Sequence, residues 1–101
     1  MKSYNIEASS RNRKGKTTLK RLRQSGQIPA VIYGEAQENY LISVKYSDLK
    51  EILKTDAENF ILNIKLNAQI IPTILKEIQH DIFGKDILHL DFFHINPEKK
   101  I

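Results

Sequence analysis

A β-rich single domain, α+β by content, is the fold class these 101 residues predict: a closed or nearly closed barrel of about six strands with two short helices. Three observations point there. Apolar and polar residues alternate over several short stretches, the period-2 signature of strands with one buried face. Turn-forming residues separate those stretches. Two windows in the first half space their apolar residues at helical intervals instead. That many strands would leave unpaired edges unless the sheet closes on itself, which argues for a barrel. A chain of this length holds one hydrophobic core, so the expected organisation is a single domain over 1–95 and a flexible, patternless tail over 96–101.

The first strand is read from Tyr4, Ile6 and Ala8 alternating with Ser3, Asn5, Glu7 and Ser9. The stretch from Arg11 to Lys16 has no apolar residue and contains Gly15, so it reads as an exposed basic loop with nothing to pack inward. Thr17 or Thr18 can then cap a short helix that carries Leu19 and Leu22 on one face and Lys20, Arg21 and Arg23 outward, with Gly26 placed to end it. Ile28 to Gly34 reads as a second strand, with Pro29 tolerable at its start, and Tyr40 to Tyr46 as a third. Ser47 or Asp48 starts a second helix, with Leu49, Ile52 and Leu53 at i, i+3 and i+4 and with Asp48 and Glu51 in capping-box spacing. Phe60, Leu62, Ile64 and Leu66 alternate into the connection Asn67-Ala68-Gln69, and Ile70 to Gln79 returns as the second arm of a hairpin. A last strand spans about Asp86 to Ile95.

The net charge of +4 hides a division along the chain. Residues 1–34 hold eight Lys/Arg against one acid, Glu7, a balance of +7, whereas residues 35–101 hold eight against eleven, a balance of −3. Such a split points the first third at a polyanion, with a phosphate backbone ahead of an anionic membrane surface. No apolar run approaches the roughly 20 residues of a membrane span, and the first residues lack the apolar stretch of a secretory signal, so a cytoplasmic protein is expected. The chain has no cysteine, which excludes disulfides and thiolate metal sites.

From Arg11 to Arg23, seven of thirteen residues are Lys or Arg and none is acidic. Arg forks grip phosphate bidentately and Lys supplies a mobile point charge. A merely solvated helix face would normally mix both signs. Tyr33, closing the second strand, could stack on a base or meet a ribose, or simply pack at a rim. In His89-Leu90-Asp91-Phe92, period 2 sends His89 and Asp91 to one face and Leu88, Leu90 and Phe92 to the other. A His beside a carboxylate suits a catalytic triad, but there is no Cys and no Ser on a Gly-rich elbow, so no catalytic residue is expected. A metal set from His80, His89, Asp91 and His94 lacks the usual close ligand spacing, and His94 is out of phase, so neither a metal nor any other cofactor is expected. A surface His bonded to its neighbouring Asp and polar readout of a nucleic acid both remain open.

Taken together, Arg11, Gly15-Lys16, Lys20-Arg21-Leu22-Arg23, Ile28 to Gly34, Gln79 and His89-Leu90-Asp91-Phe92 resemble, in order and spacing, the bacterial large-subunit ribosomal protein twenty-five family, also called the Ctc-type family. The resemblance covers about residues 4–93. It implies a structural constituent of the large ribosomal subunit, a β-barrel bound to 5S rRNA around its loop E in the central protuberance, with no enzyme activity, cofactor, membrane or small-molecule substrate. Carried over by position, Arg11, Lys16, Lys20, Arg21 and Arg23 resemble the family's backbone-gripping cations, and Tyr33, Gln79, His89 and Asp91 its polar RNA contacts; Lys14, in the same basic stretch, is expected to bind RNA with them. The pattern is broken where many members carry His-Pro and this chain has Asp81-Ile82, and where Lys76 replaces an amide. Larger members carry a second β-rich domain, so this chain resembles the short form. The alternative is a free-standing stress-related RNA-binding protein or RNA chaperone.

Overall fold

The computed structural model of the protein describes residues 3–11, 16–34, 39–54 and 60–95, with the backbone alone at 16–18. Its elements run β1 (Ser3–Ser10), α1 (Lys16–Gln24), β2 (Gln27–Tyr33), β3 (Tyr40–Lys45), α2 (Tyr46–Leu53), β4 (Ile61–Leu66), β5 (Gln69–His80) and β6 (Ile87–His94). The six strands close in the order β1-β3-β2-β6-β5-β4. β1 pairs parallel with β4 and β2 parallel with β6, and the other neighbours are antiparallel. The expected barrel is therefore present, without free edges. The tail over 96–101 lies outside the described residues.

Alternation builds the interior. Ile6 faces Ile64 across β1–β4, Ala30 faces both Ile42 and Leu90, and Ile32 faces Phe92. All of these side chains are buried in one cluster. Thr73, the fully buried hydroxyl among them, donates to the Leu62 carbonyl at 2.8 Å, so no polar group is stranded there. α2 sends Leu49 and Ile52 into the same cluster, as its apolar spacing predicts.

The helix starts differ from the sequence reading. α1 begins at Lys16, which places Thr17 and Thr18 inside its first turn rather than before it. α2 begins at Tyr46 behind Lys45, with no side-chain cap and hence no capping box. A tertiary bond takes the cap's place, because the Tyr46 N–H donates to the Gly26 carbonyl at 2.9 Å. Gly26 ends α1 as expected, at φ +86°. The β4–β5 hairpin turns through Asn67 at φ +57°, a conformation that Asn tolerates better than most residues.

Two bulges shape the β5–β6 ladder. Leu75 and Glu77 face the consecutive residues Phe92 and Asp91, which makes Lys76 an extra residue on β5. Gln79 faces His89 and His80 faces Ile87, which makes Leu88 extra on β6. The expected inward position of Leu88 is thereby corrected. The bulge shifts the phase, and Ile87 packs against the core in its place.

Candidate nucleic-acid interface

With Ala30, Ile32, Leu90 and Phe92 committed to the core, the pleat sends Val31, Tyr33, His89 and Asp91 to the outside of β2 and β6. Register then assembles a patch. Val31 stands opposite Asp91, Asp91 opposite Glu77, His89 opposite Gln79 and Tyr33 opposite Phe93. Tyr33, Gln79, His89 and Asp91 thus share one outer face of three adjacent strands.

Inside this patch Nδ1 of His89 lies 3.2 Å from Oδ1 of Asp91. The two are not aligned as a hydrogen bond, and His89 Nδ1 is buried without a hydrogen-bond partner. Burial pulls the His89 pKa below its ordinary value, outweighing the upward pull of Asp91 and Glu77, and Arg11 adds to the lowering. The imidazole is therefore neutral near pH 7, and with Nδ1 buried only Nε2 is left to meet a partner from outside, as donor or acceptor according to the tautomer. Lys76, aimed outward by its bulge, holds its ammonium 5.9 Å from the centroid of the Tyr33 ring.

Arg11 departs from the exposed loop expected of it. Its Nε donates to the Ile42 carbonyl at 2.7 Å and an Nη to the Ala30 carbonyl at 3.2 Å. Ile42 and Ala30 face each other across β3 and β2, so one guanidinium straddles the ladder. Burial lowers its pKa. Two of its five N–H donors serve the fold, and the rest can meet an acceptor from outside.

The remaining cations belong to α1, which packs on β2. Lys20 and Arg21 are exposed and Arg23 is half-buried. Lys14 and the Lys16 side chain lie outside the described residues. The parallel pairing of β2 with β6 brings the starts of both strands to one end, and a groove of about 520 Å³ opens there, lined by Lys20, Arg23, Gln27, Tyr46 and Lys85 among others. Lys85 and Tyr46 carry no signal of this role in the sequence, where Lys85 falls in an unpatterned connection and Tyr46 closes a strand-like run. His80 and His94 stand at opposite ends of the β5–β6 ladder, facing Ile87 and Thr73, so they do not join His89 in one ligand set.

The patch carries both signs: Glu77 stands opposite Asp91, Lys76 lies over Tyr33 and the Arg11 charge is felt at His89, while Lys20 and Arg23 line the groove at the start of β2 and β6. Cations of this kind suit phosphates. Carboxylates repel phosphate, and accept instead from base amino groups or ribose hydroxyls.

The profile of the Ribosomal L25p family matches residues 6–92. Large ribosomal subunit protein bL25 of Caldanaerobacter subterraneus subsp. tengcongensis is 32% identical over 102 residues, covering 100% of this chain and 51% of that protein. The protein of that name from Thermoanaerobacter sp. is 33% identical over 102 residues, with 100% and 50% covered. The one from Geobacillus thermodenitrificans is 34% identical over 96 residues, with 95% and 46% covered. The chain spans about half the length of these curated relatives.

Proposed function

The chain belongs to the ribosomal L25p family, and from that premise we propose that it is a structural constituent of the large ribosomal subunit, bound to 5S rRNA in the loop E region of the central protuberance. The observation that carries this reading is the outer face of β2, β6 and β5, where Tyr33, Gln79, His89 and Asp91 are brought together, with α1 packed on β2 and its Lys20 and Arg23 in the groove at the start of β2 and β6. The working unit is the barrel over 1–95. Lys20, Arg21 and Arg23, with Lys14 and Lys16, hold the phosphate backbone, and the free donors of Arg11 join them. Tyr33, Gln79, His89 and Asp91 read riboses and base edges. A-form RNA exposes 2′-hydroxyls and base edges on its shallow minor groove, where donors and acceptors on a gently curved sheet can reach them. The role is one of binding, without catalysis, and its place is the cytoplasmic ribosome.

Sedimentation with footprinting tests this. The chain is expected to stay with large ribosomal subunits through a salt wash that strips loose RNA binders, and to protect the loop E region of free 5S rRNA from cleavage. Loss in the wash together with unselective protection of any duplex RNA would refute a fixed ribosomal role.

A further inference from the structure

The turn between β5 and β6 displays two large apolar side chains, Ile82 at 92% and Phe83 at 77% exposure. The turn is nevertheless held in one shape. The Asp81 N–H donates to the Asp86 carbonyl at 2.9 Å, the Gly84 N–H to the Asp81 carbonyl at 3.0 Å, and the Lys85 N–H to Oδ1 of Asp81 at 2.9 Å. Gly84 takes φ +69°, a conformation that side-chain-bearing residues avoid. The tip is presented rather than loose, so little ordering entropy would be lost when it is covered.

Its position follows from the ladder. Gln79 and His89 form an outward pair just before the turn, so the tip prolongs the polar face described above. Lys85 belongs to the same turn and lines the groove with Lys20 and Arg23. A protein partner would favour a broad apolar patch. Among the described residues the other exposed large apolar side chains are Tyr46, in the groove itself, and Ile70, at the far end of β5. An isolated aromatic tip beside three cations fits a nucleotide better, with a base for the ring and phosphates for the charges.

We infer that the Ile82–Phe83 tip is a second RNA contact, in which Phe83 stacks on an unpaired or splayed base, Ile82 packs beside its ribose, and the adjoining phosphates enter the groove of Lys20, Arg23 and Lys85. This rests on the ribosomal reading above.

The chain has no Trp, so Phe83→Trp installs a single fluorescent reporter at an exposed site. Its emission is expected to be quenched when 5S rRNA is added. Phe83→Ala should weaken 5S rRNA binding at fixed salt by at least about fivefold. Phe83→Leu should lose as much, since Leu keeps the apolar surface but has no ring face. If the chain binds 5S rRNA while the Trp emission is unmoved and both variants match the wild type, the inference is overturned and the ribosomal reading stands. If the variants bind free 5S rRNA normally yet wash off large subunits, the tip serves a ribosomal protein, and the inference is again overturned. If the wild-type chain binds neither 5S rRNA nor large subunits, the ribosomal reading falls and takes the inference with it.

Discussion

His89 and Asp91 point the same way from β6, and the imidazole Nδ1 stands 3.2 Å from the carboxylate Oδ1 without the alignment of a hydrogen bond. Burial outweighs the neighbouring carboxylates in setting the charge of His89, so the ring stays neutral under conditions where a free imidazole would begin to protonate. The pair therefore presents one neutral ring nitrogen, Nε2, next to one negative charge.

A pH dependence of stability follows. Because the folded pKa of His89 lies below that of the unfolded chain, about 6.5, the unfolded state binds more protons between the two values. His89's contribution is fully present above pH 6.5 and is lost as the pH falls toward and through the depressed folded pKa. Thermal melts between pH 7.5 and 5 should show the wild type losing stability on acidification, and His89→Asn should flatten that slope. Parallel slopes for the two proteins would mean that His89 titrates normally in the fold.

Arg11→Ala tests a cation that braces the fold as well as facing outward. The guanidinium ties two strand carbonyls, Ile42 and Ala30, on facing strands. Losing charged hydrogen bonds at a part-buried site should cost roughly 1.5 to 3 kcal/mol in denaturant titrations. Arg21→Ala, at an exposed position on α1, should stay within about 0.5 kcal/mol of wild type. Equal stabilities for the two variants would remove Arg11 from its bracing role.

What could be read along the chain was whatever depends on neighbours in sequence. The strands announced themselves because each buries one face, as in Ile6 and in Leu62-Ile64-Leu66, and α2 because Leu49 and Ile52 share a stripe. Arg11 was illegible because its carbonyl partner Ile42 lies 31 residues away and nothing polar near it hints at burial. Leu88 was misplaced because a bulge is made by the pairing of two strands, and alternation within one strand is silent about it. The groove was invisible for a related reason, since it exists only where the parallel β2–β6 pairing sets α1 against the 81–86 connection. The shared face of His89 and Asp91 was legible from period 2, whereas the neutrality of the ring depends on the burial around it.

The α1 cations should reveal themselves through salt. If Arg21 and Arg23 each neutralise a phosphate, Arg21→Ala and Arg23→Ala should weaken 5S rRNA binding and each reduce the slope of log K against log salt by about 1. Titrations at several salt concentrations measure this directly. An unchanged slope in either variant would take that residue off the phosphate backbone.

Asp91 decides whether the outer face reads RNA or merely adheres to it. Its carboxylate lies on the patch beside Glu77 and His89, only 14% exposed, in a setting that would repel a phosphate. A carboxylate kept within an RNA footprint must accept from a base amino group, a ribose hydroxyl or the neighbouring imidazole, and the first two exist only at a matching site. Asp91→Ala should therefore weaken binding to 5S rRNA by roughly 1 to 3 kcal/mol, while binding to generic duplex RNA stays level or improves as repulsion is relieved. Both RNAs must be compared at one salt concentration, with the variant's melt first shown to match the wild type. Equal losses on both RNAs would make Asp91 a general support of the surface. No loss on either would mean that the His89–Asp91 pair contacts no RNA, and specificity would then have to come from Tyr33 and Gln79.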